Sequence, residues 1–141
     1  MWMHMFARCV RKGISVLIDT DVLIWYLRGN KNAYRVIDAQ EGFEISAVTY
    51  MELVQGMRDK NELQKMRKAL SELGVTVLAI TESITSRAMV IVEENYLSSS
   101  VELADALIAS TAIEHGLYLL TGNVKHYKKI KNLSLKNFRP K

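Results

Sequence analysis

Ile14-Ser15-Val16-Leu17-Ile18-Asp19-Thr20-Asp21-Val22-Leu23-Ile24 sets a carboxylate between two apolar runs. The run Ile14–Ile18 is short and mostly β-branched, and it reads as a buried strand. Val22–Leu27 reads as a helix. Asp19 therefore stands where a strand gives way to a helix, flanked by apolar residues on both sides. A carboxylate at such a junction is costly to desolvate unless something compensates it. Two compensations stay open: Asp19 as the N-cap of the helix, or Asp19 as a cation ligand. Asp21 reads as a solvent-facing cap or a partner of Asp19.

Strands and helices alternate outward from this point. Gly29-Asn30 breaks the first helix, and Asn32–Gln40 reads as a second, ended by Gly42. Phe43–Ile45 is a brief strand. Ser46 and Thr49 are N-cap signals ahead of Met51, Leu53, Val54 and Met57. Asp59-Lys-Asn-Glu62 resembles a capping box. Leu63, Met66, Leu70 and Leu73 then share one helical face, with Gly74 at the C-terminal end. Val75–Ile80 is a strand, and Thr81-Glu82 opens a helix carrying Ile84, Ala88, Ile91 and Val92. Ser98–Ser100 is a loop. Val101–His115 is a helix closed by Gly116, Leu117–Leu120 a strand, and Leu133–Leu135 the last strand. This order implies an α/β fold with a mostly parallel sheet. In such sheets ligands sit beyond the carboxyl ends of the strands.

Two further acids draw notice. Asp105 lies in Leu103-Ala-Asp-Ala-Leu-Ile-Ala109, a helix apolar on nearly every side, where a lone carboxylate needs a partner or a metal. That helix has no Lys or Arg, which leaves Arg87 of a neighbouring helix as a salt-bridge candidate. Glu52 fits a capping box with Thr49, and it gains weight only beside Asp19 and Asp105. Three convergent carboxylates repel one another and need a cation. Oxygen-only ligands favour Mg2+ or Mn2+, and the implied chemistry is metal-assisted phosphodiester hydrolysis.

The chain has 141 residues, 49% of them hydrophobic, which fits one domain with one core. No run of about eighteen apolar residues exists to span a membrane. One cysteine, Cys9, allows no internal disulfide and points to the cytoplasm. Residues 1–13 read as an N-terminal extension ahead of a single domain at 14–141. The net charge of +4 is unevenly spread: residues 19–121 hold all fifteen acids against nine bases, and residues 122–141 hold seven bases and no acid. Lys125, His126, Lys128 and Lys129, with Tyr127 among them, read as an RNA-binding patch of phosphate contacts and base stacking. A solvated lysine-rich tail is the plainer alternative.

Four segments together resemble the motifs of a PIN domain, and more narrowly those of VapC toxins from toxin–antitoxin pairs. They are Ile18-Asp19-Thr20-Asp21-Val22-Leu23-Ile24, Ser46-Ala-Val-Thr-Tyr-Met-Glu52-Leu-Val-Gln-Gly56, Ala104-Asp105-Ala-Leu-Ile-Ala109 and Leu120-Thr121-Gly122-Asn123. The resemblance covers about residues 14 to 138. It implies a three-layer fold with a mostly parallel central sheet of four to five strands flanked by helices. It also implies a Mg2+- or Mn2+-dependent endoribonuclease, a homodimer, and inhibition by a VapB-type antitoxin. Asp19, Glu52 and Asp105 match the family's metal-holding acids. A fourth position, often Asp in the family, is Asn123 here, so a second metal site would be poorer in charge. Thr20 and Thr121 read first as local caps or turns, with contacts to the reacting groups as the alternative. A PIN nuclease of RNA processing without an antitoxin, and a non-catalytic RNA-binding module, are the competing readings.

Overall fold

A computed structural model of the chain describes residues 15–98 and 100–141. The expected extension at 1–13, Cys9 and the proposed strand start at Ile14 lie outside the described residues. The elements run β1 (Val16–Ile18), α1 (Thr20–Leu27), α2 (Lys31–Asp38), β2 (Phe43–Ser46), α3 (Ala47–Gln55), α4 (Lys60–Glu72) and β3 (Val75–Leu78). They continue with α5 (Glu82–Asn95), α6 (Leu103–Glu114), β4 (Tyr118–Thr121), α7 (Val124–Tyr127) and β5 (Leu135–Asn137). The sheet order is β3-β2-β1-β4-β5, with every pairing parallel. The expected α/β fold with a parallel sheet of four to five strands is what the chain adopts.

Local chemistry sets the helix starts. Asn30, Ser46, Asp59 and Thr81 each accept a backbone N–H from the helix that follows, satisfying donors that have no partner inside the helix. Gly74 follows α4 at φ 69°, a left-handed conformation that glycine adopts without a Cβ penalty. Several helix and strand ends fall one or two residues from the sequence expectation, and four differences matter for the site. The Thr49–Glu52 capping box does not form, because Ser46 takes the N-cap of α3. β3 ends at Leu78 rather than Ile80, β5 begins at Leu135, and α7 is an additional one-turn helix.

The sheet separates two apolar layers. β1 is fully buried and shares its side chains between them by the two-residue strand period. Val16 and Ile18 join Val22, Leu23, Ala33, Ile37, Met66 and Leu70 of α1, α2 and α4. Leu17 joins Ala88, Ile91, Ala106, Ala109 and Ala112 of α5 and α6. Leu17→Ala should therefore cost about 2–5 kcal/mol. Urea unfolding checks this, and a loss below about 1 kcal/mol would contradict the two-layer packing.

The topology also locates a crevice. From β1 the chain steps to β2 and β3 on one side, then crosses to β4 on the other. The order reverses between β1 and β4, where open parallel sheets bind ligands beyond the strand ends. Ile18 pairs with Leu120 at that end, so the next residues, Asp19 and Thr121, stand at the mouth of the crevice.

Candidate active site

Asp19 continues the ladder, its N–H donating to the Leu120 carbonyl at 2.9 Å. The side chain is 4% exposed. Its Oδ1 accepts from the Thr20 N–H at 2.8 Å, and its Oδ2 accepts from the Thr121 hydroxyl at 2.8 Å. Burial, followed by the nearby Asp21 charge, pushes the carboxyl from 3.8 up to about 6. Asp19 is the N-cap of α1 as well. Capping therefore coexists with a desolvated carboxylate and does not explain it away.

Asp21 is not a solvent-facing cap. Its Oδ2 accepts the Gly122 N–H at 2.9 Å, across the crevice in the turn after β4. Its Oδ1 is buried and has no hydrogen-bond partner. Burial raises this carboxyl too. A Cβ built on Gly122 would stand 2.6 Å from Asp21 Oδ2, so any larger residue would displace the Asp21 carboxylate that the Gly122 N–H binds.

Glu52 reaches the same corner from α3. Its Oε1 accepts from the Thr20 hydroxyl at 2.7 Å, and the Thr20 and Thr49 hydroxyls lie 3.1 Å apart. Thr49 is fully buried. Thr20 departs from the local-cap reading by binding Glu52, while Thr121 keeps its local turn role, accepting the Asn123 N–H, and also donates to Asp19. Asn123 is exposed, and its backbone N–H donates to Thr121 Oγ1 at 3.0 Å.

Asp105 sits in the first turn of α6, half-buried, with its side chain 14% exposed. The Arg87 alternative is excluded, since Arg87 pairs with Glu114 at 2.6 Å. Asp105 Oδ2 instead accepts the Glu102 N–H at 2.9 Å and lies 3.5 Å from His126 Nδ1. Tyr127 departs most from expectation. It is 1% exposed, so it offers no face for base stacking. Burial, followed by the nearby charges of Asp19 and Asp105, holds the phenol well above its ordinary range.

Hydroxyls thus hold two of the acids: Thr20 donates to Glu52, and Thr121 donates to Asp19. Among the described residues no three His, Cys, Asp or Glu side chains form a ready-made cage for an ion. The donor set nevertheless suits a hard divalent ion. Mg2+ is commonly held by one or two carboxylates and keeps several waters, rather than sitting in an all-protein cage. A desolvated Asp19 and the partnerless Oδ1 of Asp21 are groups that a nearby cation would stabilise.

Basic residues border the site. Lys125, Lys128 and Lys129 are exposed on and just after α7, and the His126 side chain is 43% exposed. On the Glu52 side, a groove of about 550 Å³ is lined by apolar Ile24, Leu53 and Met57 and by Arg28, Arg58 and Lys65. No described helix is long and apolar enough to cross a membrane.

The family described as PIN domain matches residues 16–132. Ribonuclease VapC10 of Mycobacterium tuberculosis is 35% identical over 122 residues, covering 84% of this chain and 90% of its own. Ribonuclease VapC1 of Rickettsia felis is 29% identical over 128 residues, covering 86% and 95%. Among solved structures, a toxin–antitoxin complex from Klebsiella pneumoniae superposes with a TM-score of 0.73 at 30% identity, covering 90% of this chain and 98% of that one.

Proposed function

The chain belongs to the PIN domain family, and from that premise we propose that it is a divalent-metal-dependent endoribonuclease, the toxin of a toxin–antitoxin pair. The observation that carries this reading is the Asp19 carboxylate. It is desolvated at the switch point of a parallel sheet, held by the Thr20 N–H and the Thr121 hydroxyl. The relatives named as VapC ribonucleases and the neighbouring toxin–antitoxin complex support the assignment.

In this reading Asp19, Asp105 and Glu52 hold Mg2+ or Mn2+. Such an ion, when bound, activates a water and offsets charge on the leaving oxygen. The chain's own residues do the rest. Thr20 and Thr121 orient the Glu52 and Asp19 carboxylates by donating to one oxygen of each. Lys125, His126, Lys128 and Lys129 contact RNA phosphates, which position the strand without reading its sequence. Asn123 brings no charge, so a single well-held ion fits this site better than two.

The apolar groove beside Glu52 suits the side chains of an antitoxin segment, a VapB-type partner. Exposed Met89, Val90, Tyr96 and Leu97 on and after α5 suit a homodimer contact.

The test is cleavage of a panel of structured RNAs with and without Mg2+ or Mn2+, with Asp105→Asn alongside. Wild type should cut only with metal, and the variant should not cut. Equal cleavage by the two proteins, or a Mn2+ titration showing no binding, would refute the reading.

A further inference from the structure

We propose that α2, the α1–α2 turn and the segment Phe138–Lys141 together form a second surface for single-stranded RNA, on the other face of the sheet from the α7 lysines. The inference rests on the reading that RNA is the substrate of this site.

The segment after β5 is anchored, not a loose basic tail. The Phe138 N–H donates to the Thr121 carbonyl at 2.8 Å. Its ring is buried in the layer formed by α1, α2 and α4. The next two carbonyls are held by side-chain amides of the α1–α2 turn and α2. Asn30 Nδ2 donates to Pro140 at 2.9 Å, and Asn32 Nδ2 donates to Arg139 at 3.3 Å. Asn30 is itself fixed, because its Oδ1 caps α2 by accepting the Ala33 N–H.

This anchoring joins two basic stretches. Residues 28–37 hold Arg28, Lys31 and Arg35 and no acid, and residues 122–141 hold no acid. Arg139 and Lys141 are thereby brought to the turn that carries Arg28 and Lys31. Lys31 and Arg35 stand one turn apart on α2, opposite the buried Ala33 and Ile37. Lys136 lies on the same side of β5 as Phe138, its Nζ 5.2 Å from the Tyr118 ring. All six cations are exposed. Among the described residues none of them pairs with a carboxylate, whereas Arg58, Arg87 and Lys131 each do. Cations gathered without counter-charge attract a polyanion. Tyr34 stands among them, 41% exposed, its ring held T-shaped against Tyr26 at 4.9 Å. Cations interleaved with an exposed aromatic ring suit a single strand, through phosphate contacts and base stacking.

The surface begins at the site itself. The Phe138 carbonyl is 3.4 Å from where a Cβ on Gly122 would stand. The three residues that follow reach at most about 10 Å further. Tyr127 and Ile130, which bracket the α7 lysines, pack in the opposite layer with α5 and α6. A strand crossing Asp19 therefore meets cations on both faces of the sheet. Contacts away from the cleaved bond hold RNA equally in the ground and transition states, so they set KM and not kcat.

The experiment measures binding of a labelled single-stranded oligouridine in EDTA across a salt series, and RNA cleavage kinetics with Mn2+. It compares wild type, Lys31→Gln/Arg139→Gln, Tyr34→Leu, Asp19→Asn and a control of equal charge, Arg67→Gln/Lys68→Gln on exposed positions of α4. Lys31→Gln/Arg139→Gln should bind about tenfold more weakly near about 0.15 M salt. Its salt slope should be shallower by about 1.4, since each phosphate contact to a single strand contributes about 0.7. KM should rise by a similar factor at unchanged kcat. Tyr34→Leu should weaken binding about tenfold and leave the slope alone. If Lys31→Gln/Arg139→Gln binds like the α4 control, the surface is overturned, while cleavage by wild type and none by Asp19→Asn keeps the nuclease reading. A fall in kcat at unchanged KM would make the segment a support of the site turn and also overturn it. If polyglutamate competes as well as unlabelled oligouridine and Tyr34→Leu changes nothing, the face suits an acidic protein and the RNA assignment is overturned. A wild type that neither binds nor cuts RNA brings down the underlying reading, and the inference with it.

Discussion

Asp19→Asn should abolish RNA cleavage, by about a thousandfold or more, and yet make the metal-free protein more stable at neutral pH. The loss corresponds to about 4 kcal/mol of barrier, as expected for the acid most central to holding the ion. The gain follows from the raised carboxyl of Asp19, moved from 3.8 to about 6 by burial and then by Asp21. Between those two values the folded chain keeps a proton that the unfolded chain has released. Stability therefore falls as pH rises from about 4 to about 6, and the full cost, on the order of 3 kcal/mol, persists above that window. Asn removes the charge, keeps a carbonyl oxygen for the Thr20 N–H, and turns its amide NH2 toward the Thr121 hydroxyl oxygen, which can accept. It is also a good N-cap. The variant should melt roughly 5–10 °C above wild type near pH 7.5 and level with it near pH 4. Saturating Mn2+ should reverse the order, because binding to the folded state alone stabilises wild type. Melting curves at both pH values, with and without Mn2+, decide the matter. A variant that melts below wild type at both pH values without metal would contradict the strained-carboxylate account.

The fold was largely legible because its signals are local. The apolar run before Asp19, the caps at Ser46, Asp59 and Thr81, and the face of Leu63, Met66 and Leu70 closed by Gly74 each act within a few residues. Alternation of strand and helix then left a parallel sheet as the arrangement that buries both faces. The strand order could not be read this way, since placing β4 beside β1 depends on how α5 and α6 cover the second face. One-turn α7 is too short to show a period. The start of β5 is set by a remote bond, the Leu119 N–H donating to the Ser134 carbonyl at 2.9 Å.

The site divides along the same line. Asp105 stood out because a carboxylate in an apolar helix is locally anomalous. Its hydrogen-bond partner, the Glu102 N–H, lies three residues before it, while His126, 3.5 Å away, lies about twenty residues on and left no local mark beside it. Glu52 was nearly explained away, since a Thr three residues before a Glu fits any helix start; the bond that engages it comes from Thr20, across the sheet. Tyr127 sat among lysines and so read as exposed. The available signal was the spacing of three in Val124, Tyr127 and Ile130, which turns Tyr127 and Ile130 inward while the lysines between them stay out. Gly122 looked like an ordinary turn residue, and its constraint is visible only with Asp21 beside it.

Gly122→Ala should therefore damage both stability and cleavage. The new Cβ would lie 2.6 Å from Asp21 Oδ2 and 3.4 Å from the Phe138 carbonyl. The first contact is also the acceptor of the Gly122 N–H, so relieving the clash means giving up that hydrogen bond. A hydrogen bond to a charged group is worth about 1.5–3 kcal/mol, which sets the scale of the loss. The displaced turn carries Thr121, which holds Asp19, and Asn123. A shift of about 1 Å there should lower cleavage about a hundredfold. Gly56→Ala is the matched control. Its Cβ meets only the Leu53 and Glu52 carbonyls at 3.5 and 3.6 Å, with an ordinary φ of −81°. That substitution should be neutral or stabilising by about 0.4–1 kcal/mol, through loss of unfolded-chain entropy. Combining Gly122→Ala with Asp21→Ala should recover part of the lost stability, leaving the two changes non-additive by at least about 0.5 kcal/mol. Denaturant unfolding of the two single variants and the double variant measures that coupling. Strict additivity, or a Gly122→Ala protein that behaves like Gly56→Ala, would mean that Asp21 does not clamp the turn against Asp19.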